Sequence, residues 1–154
     1  MTKFTVKHSC GHEATHGFTG TPQELRQRKE WLGRRPCQVC WRAQESLSAA
    51  AQGQELNLPA LDGTEQDKAW AEVIRLKVIA HNRDYYKRRV EGEKIGQQDE
   101  KMRATIVAAA DEALRELESQ RDATWWLENR FDALTFVKSR VVVAITPLLN
   151  PRTE

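Results

Sequence analysis

Ser9-Cys10-Gly11-His12 and Pro36-Cys37-Gln38-Val39-Cys40-Trp41 decide how this chain is read. The two stretches contain all three cysteines, and residues 13–35 lie between them. Three thiolates and an imidazole are the ligand set of a closed structural zinc site, in which two-ligand clusters on rigid turns meet a tetrahedral ion. Cys10 and His12 supply one pair, Cys37 and Cys40 the other. His8 and His16 flank the first pair, and either could stand in for His12. A site with four protein ligands leaves no position for a reactive water, so the expected cofactor is a structural Zn2+.

Outward from these clusters, residues 3–8 alternate polar and apolar, with Phe4 and Val6 on one face, which reads as a strand. Cys10-Gly11-His12 is then a tight turn, and residues 13–18 are the return strand, broken at Gly17 and Gly20. Thr21-Pro22-Gln23-Glu24 is a helix start: Thr21 caps, Pro22 fits the first helical position and Glu24 completes a capping box. Gly33 and Pro36 stop that helix, and a second one begins at the CxxC and runs toward Ala51.

Hairpin, helix, then a CxxC opening a second helix resembles a treble-clef zinc module with one helix inserted. The likeness covers residues 3–48. A redox CxxC follows a strand in a βαβ pattern, and no strand precedes Cys37. A ring-finger arrangement needs a second CxxC soon after Cys-x-His, whereas Glu13-Ala14-Thr15-His16-Gly17 follows here. A nuclease on such a core needs further histidine and asparagine, and His81-Asn82 lies in a separate predicted helix.

Residues 52–63 carry two glycines and a proline and read as a connector, with Leu56, Leu58 and Leu61 holding it to the protein surface. Thr64 with Asp67 opens a helix through about Val90, although Ile74, Leu76 and Val78 alternate as a strand would. Gly92 and Gly96 bracket a turn. Over 98–119, Met102, Ile106, Ala109, Ala113 and Leu117 recur at helical spacing, with Leu114 beside them. Residues 124–138 read as one more helix, with Leu127, Phe131 and Leu134 on one side and Trp126 close by. Residues 141–145 suit either a helical turn or a strand, ended by Pro147. The expected fold is mostly α: a small zinc-binding, treble-clef-like β-hairpin module over 1–51, a connector over 52–63, and a three-helix bundle over 64–154.

The chain has 154 residues, 40% of them apolar and 30% charged, and a net charge of +2. No stretch is apolar enough to span a bilayer, and Met1 to Ser9 lacks the apolar run of a signal peptide, so a cytoplasmic location and no membrane partner are expected. Reduced thiols there favour metal over disulfide. Residues 1–46 hold eight Lys/Arg against four Glu, and residues 75–90 hold six against Asp84. Residues 92–154 hold nine basic against eleven acidic side chains. The basic front half points to an anionic partner.

The candidate contacts are Arg26, Arg28, Lys29, Arg34, Arg35 and Arg42, with Tyr85, Tyr86, Lys87, Arg88 and Arg89 as a second surface. Trp70 and Trp126 are expected in the core, each a turn or so before Arg75 or Arg130. No phosphate-cradling glycine loop, nucleophile elbow or HExxH is present.

Cys-Gly-His, Trp-Leu before a CxxC, Trp70 to Arg75 and Trp125-Trp126-x-x-Asn129-Arg130 together resemble small uncharacterised proteins of bacterial mobile elements and phages, with Val73-Ile74 departing from that pattern. The resemblance implies a context and no activity. The expectation is a non-enzymatic binding protein. Its partner is nucleic acid or a nucleoprotein complex, or alternatively a host protein that it inhibits or adapts. A homodimer is possible on this reading.

Overall fold

The computed structural model describes residues 1–149. It is mostly helical, with one two-stranded antiparallel sheet at the front. The chain divides into two compact units, residues 1–48 and 49–154, and the boundary falls inside the second helix. Each unit is built as follows.

In the first unit, β1 (Thr2–Lys7) pairs with β2 (Glu13–Phe18), with Phe4 opposite His16 and Val6 opposite Ala14. The period-two alternation puts Phe4 and Val6 on one face, where they meet Leu32 of α1 (Pro22–Gly33). Gly17 pairs with Lys3 inside β2, so it does not break the strand. α1 begins as its capping box dictates: Thr21 Oγ1 accepts from the Glu24 amide, and the Glu24 carboxylate accepts from the Thr21 amide at 2.7 Å. α2 (Gln38–Glu55) follows directly after Cys37. It extends four residues past Ala51, so the segment joining it to the next helix begins at residue 56.

In the second unit, α3 (Glu65–Tyr86) is capped by Thr64, whose side chain accepts from the Asp67 amide. The alternation at 74–78 is therefore helical, and Val78 and Ile79 are buried. A π-helical turn (Lys87–Glu91) and a 3-10 turn (Glu93–Gln97) lead to α4 (Glu100–Ser119). Its buried face is Met102, Ile106, Ala110, Ala113 and Leu117, one position away from the sequence reading at Ala110.

The joining segment is pinned to this unit. The Asp62 amide donates to the Arg121 carbonyl at 2.7 Å, the Ala123 amide donates to the Asp62 carbonyl at 2.9 Å, and the Arg75 guanidinium donates to the Pro59 carbonyl at 2.6 Å. Arg75 is buried and paired with Glu72.

The predicted single helix over 124–138 is instead α5 (Ala123–Glu128), a 3-10 turn (Asp132–Thr135) and the start of α6 (Phe136–Leu149). So among the described residues four α-helices, not three, follow residue 64. The cause of the break is Asn82, which is 1% exposed. Its Nδ2 donates to the Ala133 carbonyl at 2.8 Å and to Val78 at 2.9 Å, and its Oδ1 accepts from the Val137 amide at 3.0 Å. Val137 is the second residue of α6, where a backbone amide has no partner within its own helix. A side chain from α3 thus caps α6 and fixes where it begins. Phe131 lies in the break and is 71% exposed rather than buried. Residues 141–145 are helical, and α6 continues through Pro147 to Leu149. A proline in a last turn removes only one backbone bond there.

Asn82→Leu leaves the Val137 amide buried without a partner and takes one of two donors from the Ala133 carbonyl, which keeps the Phe136 amide. The expected loss is about 3 kcal/mol of stability, read by urea denaturation of the full chain. A loss within the error of the fit would remove Asn82 as the fixing point of α6.

Candidate metal centre

Cys10 and His12 sit at the tip of the hairpin. The tip closes through His8 N–H to the His12 carbonyl and Gly11 N–H to the His8 carbonyl, both at 2.9 Å. Gly11 has φ +85°, a left-handed conformation that side chains with a Cβ seldom adopt. The tip is tied to the second pair of ligands by the Arg35 carbonyl, which accepts from the Ser9 amide at 3.0 Å and lies 3.2 Å from His8 Nδ1. Cys37 then takes the capping position of α2, where its carbonyl accepts from the Trp41 amide at 2.8 Å. Cys40 lies in the first turn.

The Sγ atoms of Cys10, Cys37 and Cys40 and one ring nitrogen of His12 all lie within 4.8 Å of one another. His12 Nδ1 is 3.2 Å from Cys40 Sγ and 3.8 Å from Cys37 Sγ. An ideal tetrahedral ion with these donors separates sulfur from nitrogen by about 3.5 Å and sulfur from sulfur by about 3.8 Å. The four side chains can therefore hold a metal ion. Among the described residues this is the one such cluster of cysteine, histidine or carboxylate groups.

His8 and His16 are not in it. A carbonyl only accepts, so His8 Nδ1 carries a hydrogen toward Arg35, and its Nε2 is left to accept from His16 Nε2 at 3.2 Å. His8 is spent on holding the tip, so His12 is the imidazole of the cluster. The sequence contains no sign of this second role.

The thiols differ. Backbone amides of Cys37 and then His12 point at Cys10, the first at 3.2 Å, and hold its pKa down to about 6 from an ordinary 9.0. The hydrogen bond with Cys37, partial burial and the neighbouring Cys10 thiolate push Cys40 up to about 11. Cys10 is thus anionic at neutral pH while Cys40 keeps its proton.

The expected basic residues have different fates. On α1, Arg26, Arg28 and Lys29 are exposed. The guanidiniums of Arg28 and Arg35 lie 4.8 and 4.1 Å from the Trp31 ring centroid, and Trp31 is 43% exposed. The spacing of 28, 31 and 35 is the sign in the sequence of this stacked group. Lys29 sits over the Phe4 ring, and Arg34 pairs with Glu30. Arg42 is exposed on α2.

The second surface is less available than expected. Tyr85 and Tyr86 pack half-buried on the cluster around Met102 and Ile106, and Tyr86 donates to Asp111 at 2.5 Å. That bond raises the Tyr86 pKa to about 12. Arg88 pairs with Asp84 at 2.6 Å, whereas Lys87 is exposed and Arg89 half-buried. Trp126 is fully buried, as expected, while Trp70 is 38% exposed. Among the described residues no helix is long and apolar enough to cross a membrane.

No protein-family model, curated protein or solved structure matches the chain.

Cys37→Ser and Cys40→Ser are each expected to unfold residues 1–48, because metal binding and folding are one event in so small a module. Circular dichroism and the melting curve read this, and an unchanged melt of both variants would rule out a structural metal. Metal affinity should also rise with pH. At pH 7.5 uptake must displace the Cys40 proton, and below about pH 6 the Cys10 proton as well, so affinity falls more steeply there. Competition with a chromophoric chelator from pH 5 to 8 measures the slope, and a flat profile would contradict the assignment.

Proposed function

We propose that residues 1–48 form a zinc-stabilised module that presents a basic, tryptophan-bearing helix to nucleic acid or to a nucleoprotein complex. The donor set supports zinc: three sulfurs and one imidazole nitrogen suit this ion, and four protein ligands leave no site for a catalytic water. The role of the metal is then to fold the module, and the protein acts by binding rather than by catalysis, as a mobile-element protein would when it engages a host assembly.

The observation that carries the reading is Trp31 on α1. It is exposed, flanked by Arg28 and Arg35, and shares its helix with Arg26 and Lys29. Cations that track phosphates beside an aromatic face that stacks on bases are what single-stranded nucleic acid binding requires. Arg42 extends this surface, and Lys87, Arg88 and Arg89 make a lesser one, since Arg88 is already paired.

A second reading has its own observation. Val39 is 76%, Leu47 74% and Trp41 43% exposed on α2. Exposed apolar and aromatic side chains on one helix also suit a protein-binding inhibitor or adaptor that occludes a host complex.

Fluorescence polarisation of labelled single-stranded and duplex DNA and RNA with zinc-loaded protein separates the two. The expected result is binding whose logarithm falls linearly with the logarithm of salt, with a slope of about −0.7 to −0.9 per phosphate neutralised. Trp31→Ala should weaken single-stranded binding about tenfold, as loss of one stacked base does, and more than Lys87→Ala does. Absence of binding at low salt would sink the nucleic-acid reading and leave the protein-binding one.

A further inference from the structure

Between α4 and the broken α5–α6 segment lies a cavity of about 390 Å³ lined by Glu116, Gln120, Trp125, Asp132, Phe136 and Arg140, among others. That is the size of a pocket for a small group or one side chain. Trp125 and Phe136 stand edge to face, with centroids 6.4 Å apart and planes at 83°. Two acidic residues, Glu116 and Asp132, line the same cavity.

The chain already places one cation in this setting. The Arg140 guanidinium lies 5.0 Å from the Phe136 centroid and donates to both oxygens of Glu116 at 3.0 Å. An aromatic face with a carboxylate at its edge is a matched site for a flat cation. Arg140 takes up Phe136 and Glu116. Trp125 and Asp132 line the same cavity, and Asp132 makes no ion pair among the described residues.

We propose that this cavity receives an arginine side chain from a basic segment of a partner protein, with its guanidinium between Trp125 and Asp132. The choice of a polypeptide over free arginine follows from charge. A free amino acid brings a carboxylate, and among the described residues the single cation lining the cavity is Arg140, which Glu116 already engages. A residue within a chain has no such carboxylate to satisfy. The proposal concerns residues 116–140 and does not depend on the nucleic-acid reading of residues 1–48.

The test is a titration of the full-length, 15N-labelled protein with acetyl-Gly-Arg-Gly-amide, following the Trp125 indole N–H signal assigned by Trp125→Phe. A saturable shift is expected, and it should weaken about fivefold in Asp132→Asn, the effect of losing one partly exposed ion pair. Asp132→Lys should abolish it. The Trp126 indole, which donates to the Gln120 carbonyl at 3.1 Å, reports that the fold is intact in each variant. A missing or non-saturating shift in the unmodified protein, equal affinity in Asp132→Asn, or binding of free arginine as tight as that of the peptide would overturn the proposal.

Discussion

The Arg35 carbonyl is the point on which residues 1–48 depend. It accepts from the Ser9 amide and from His8 Nδ1, and so ties the tip carrying Cys10 and His12 to the chain just before Cys37. The apolar core there is small: Phe4, Val6 and Leu32, with Phe18 and Leu25 partly buried against them. A core of that size does not offset the conformational entropy of the segment it orders. A metal held by residues from both ends of the segment would supply the deficit, and the carbonyl contact makes the site cheaper to form by bringing the two pairs together.

The same device, one polar group with several bonds across the chain, recurs in the second unit at Asn82. Apolar packing there is ample, in two clusters around Trp126 and around Ile106. Packing alone does not say where a helix stops. Asn82 does, by accepting from the Val137 amide and donating to Ala133. A buried amide of this kind is stable only when all its groups are satisfied, which makes its geometry specific.

This explains what could be read from the residues and what could not. The hairpin, the starts of α1 and α3, the helical periodicity of α4, and the Cys10, His12, Cys37 and Cys40 set were legible because each is a local signal: alternation, a capping side chain, a helical repeat, a short ligand spacing. The interruption of the 124–138 helix was not, because its cause lies more than forty positions away at Asn82. Phe131 was misplaced for the same reason. Tyr85 and Tyr86 looked like surface beside Lys87-Arg88-Arg89, yet an amphipathic side chain follows its ring rather than its neighbours in sequence, and both rings found the Met102 cluster. The extension of α2 past Gly53 was hidden because glycine reads as a break. Its absent side chain instead leaves room for the Glu72 carboxylate that pairs with Arg75.

Charge counting misleads in a related way. Residues 75–90 carry a larger formal surplus than residues 1–46, yet Arg75 is buried against Glu72, Arg83 is bonded to Glu118 and Arg88 to Asp84. Those cations are already neutralised by partners that sit in the folded chain. At α1 and just after it, among the described residues, only Arg34 is bonded to an acid in this way, while Arg28 and Arg35 rest on an aromatic ring that satisfies part of their hydration without cancelling their charge. The cations open to an anion in residues 75–90 are therefore fewer than the residue count suggests.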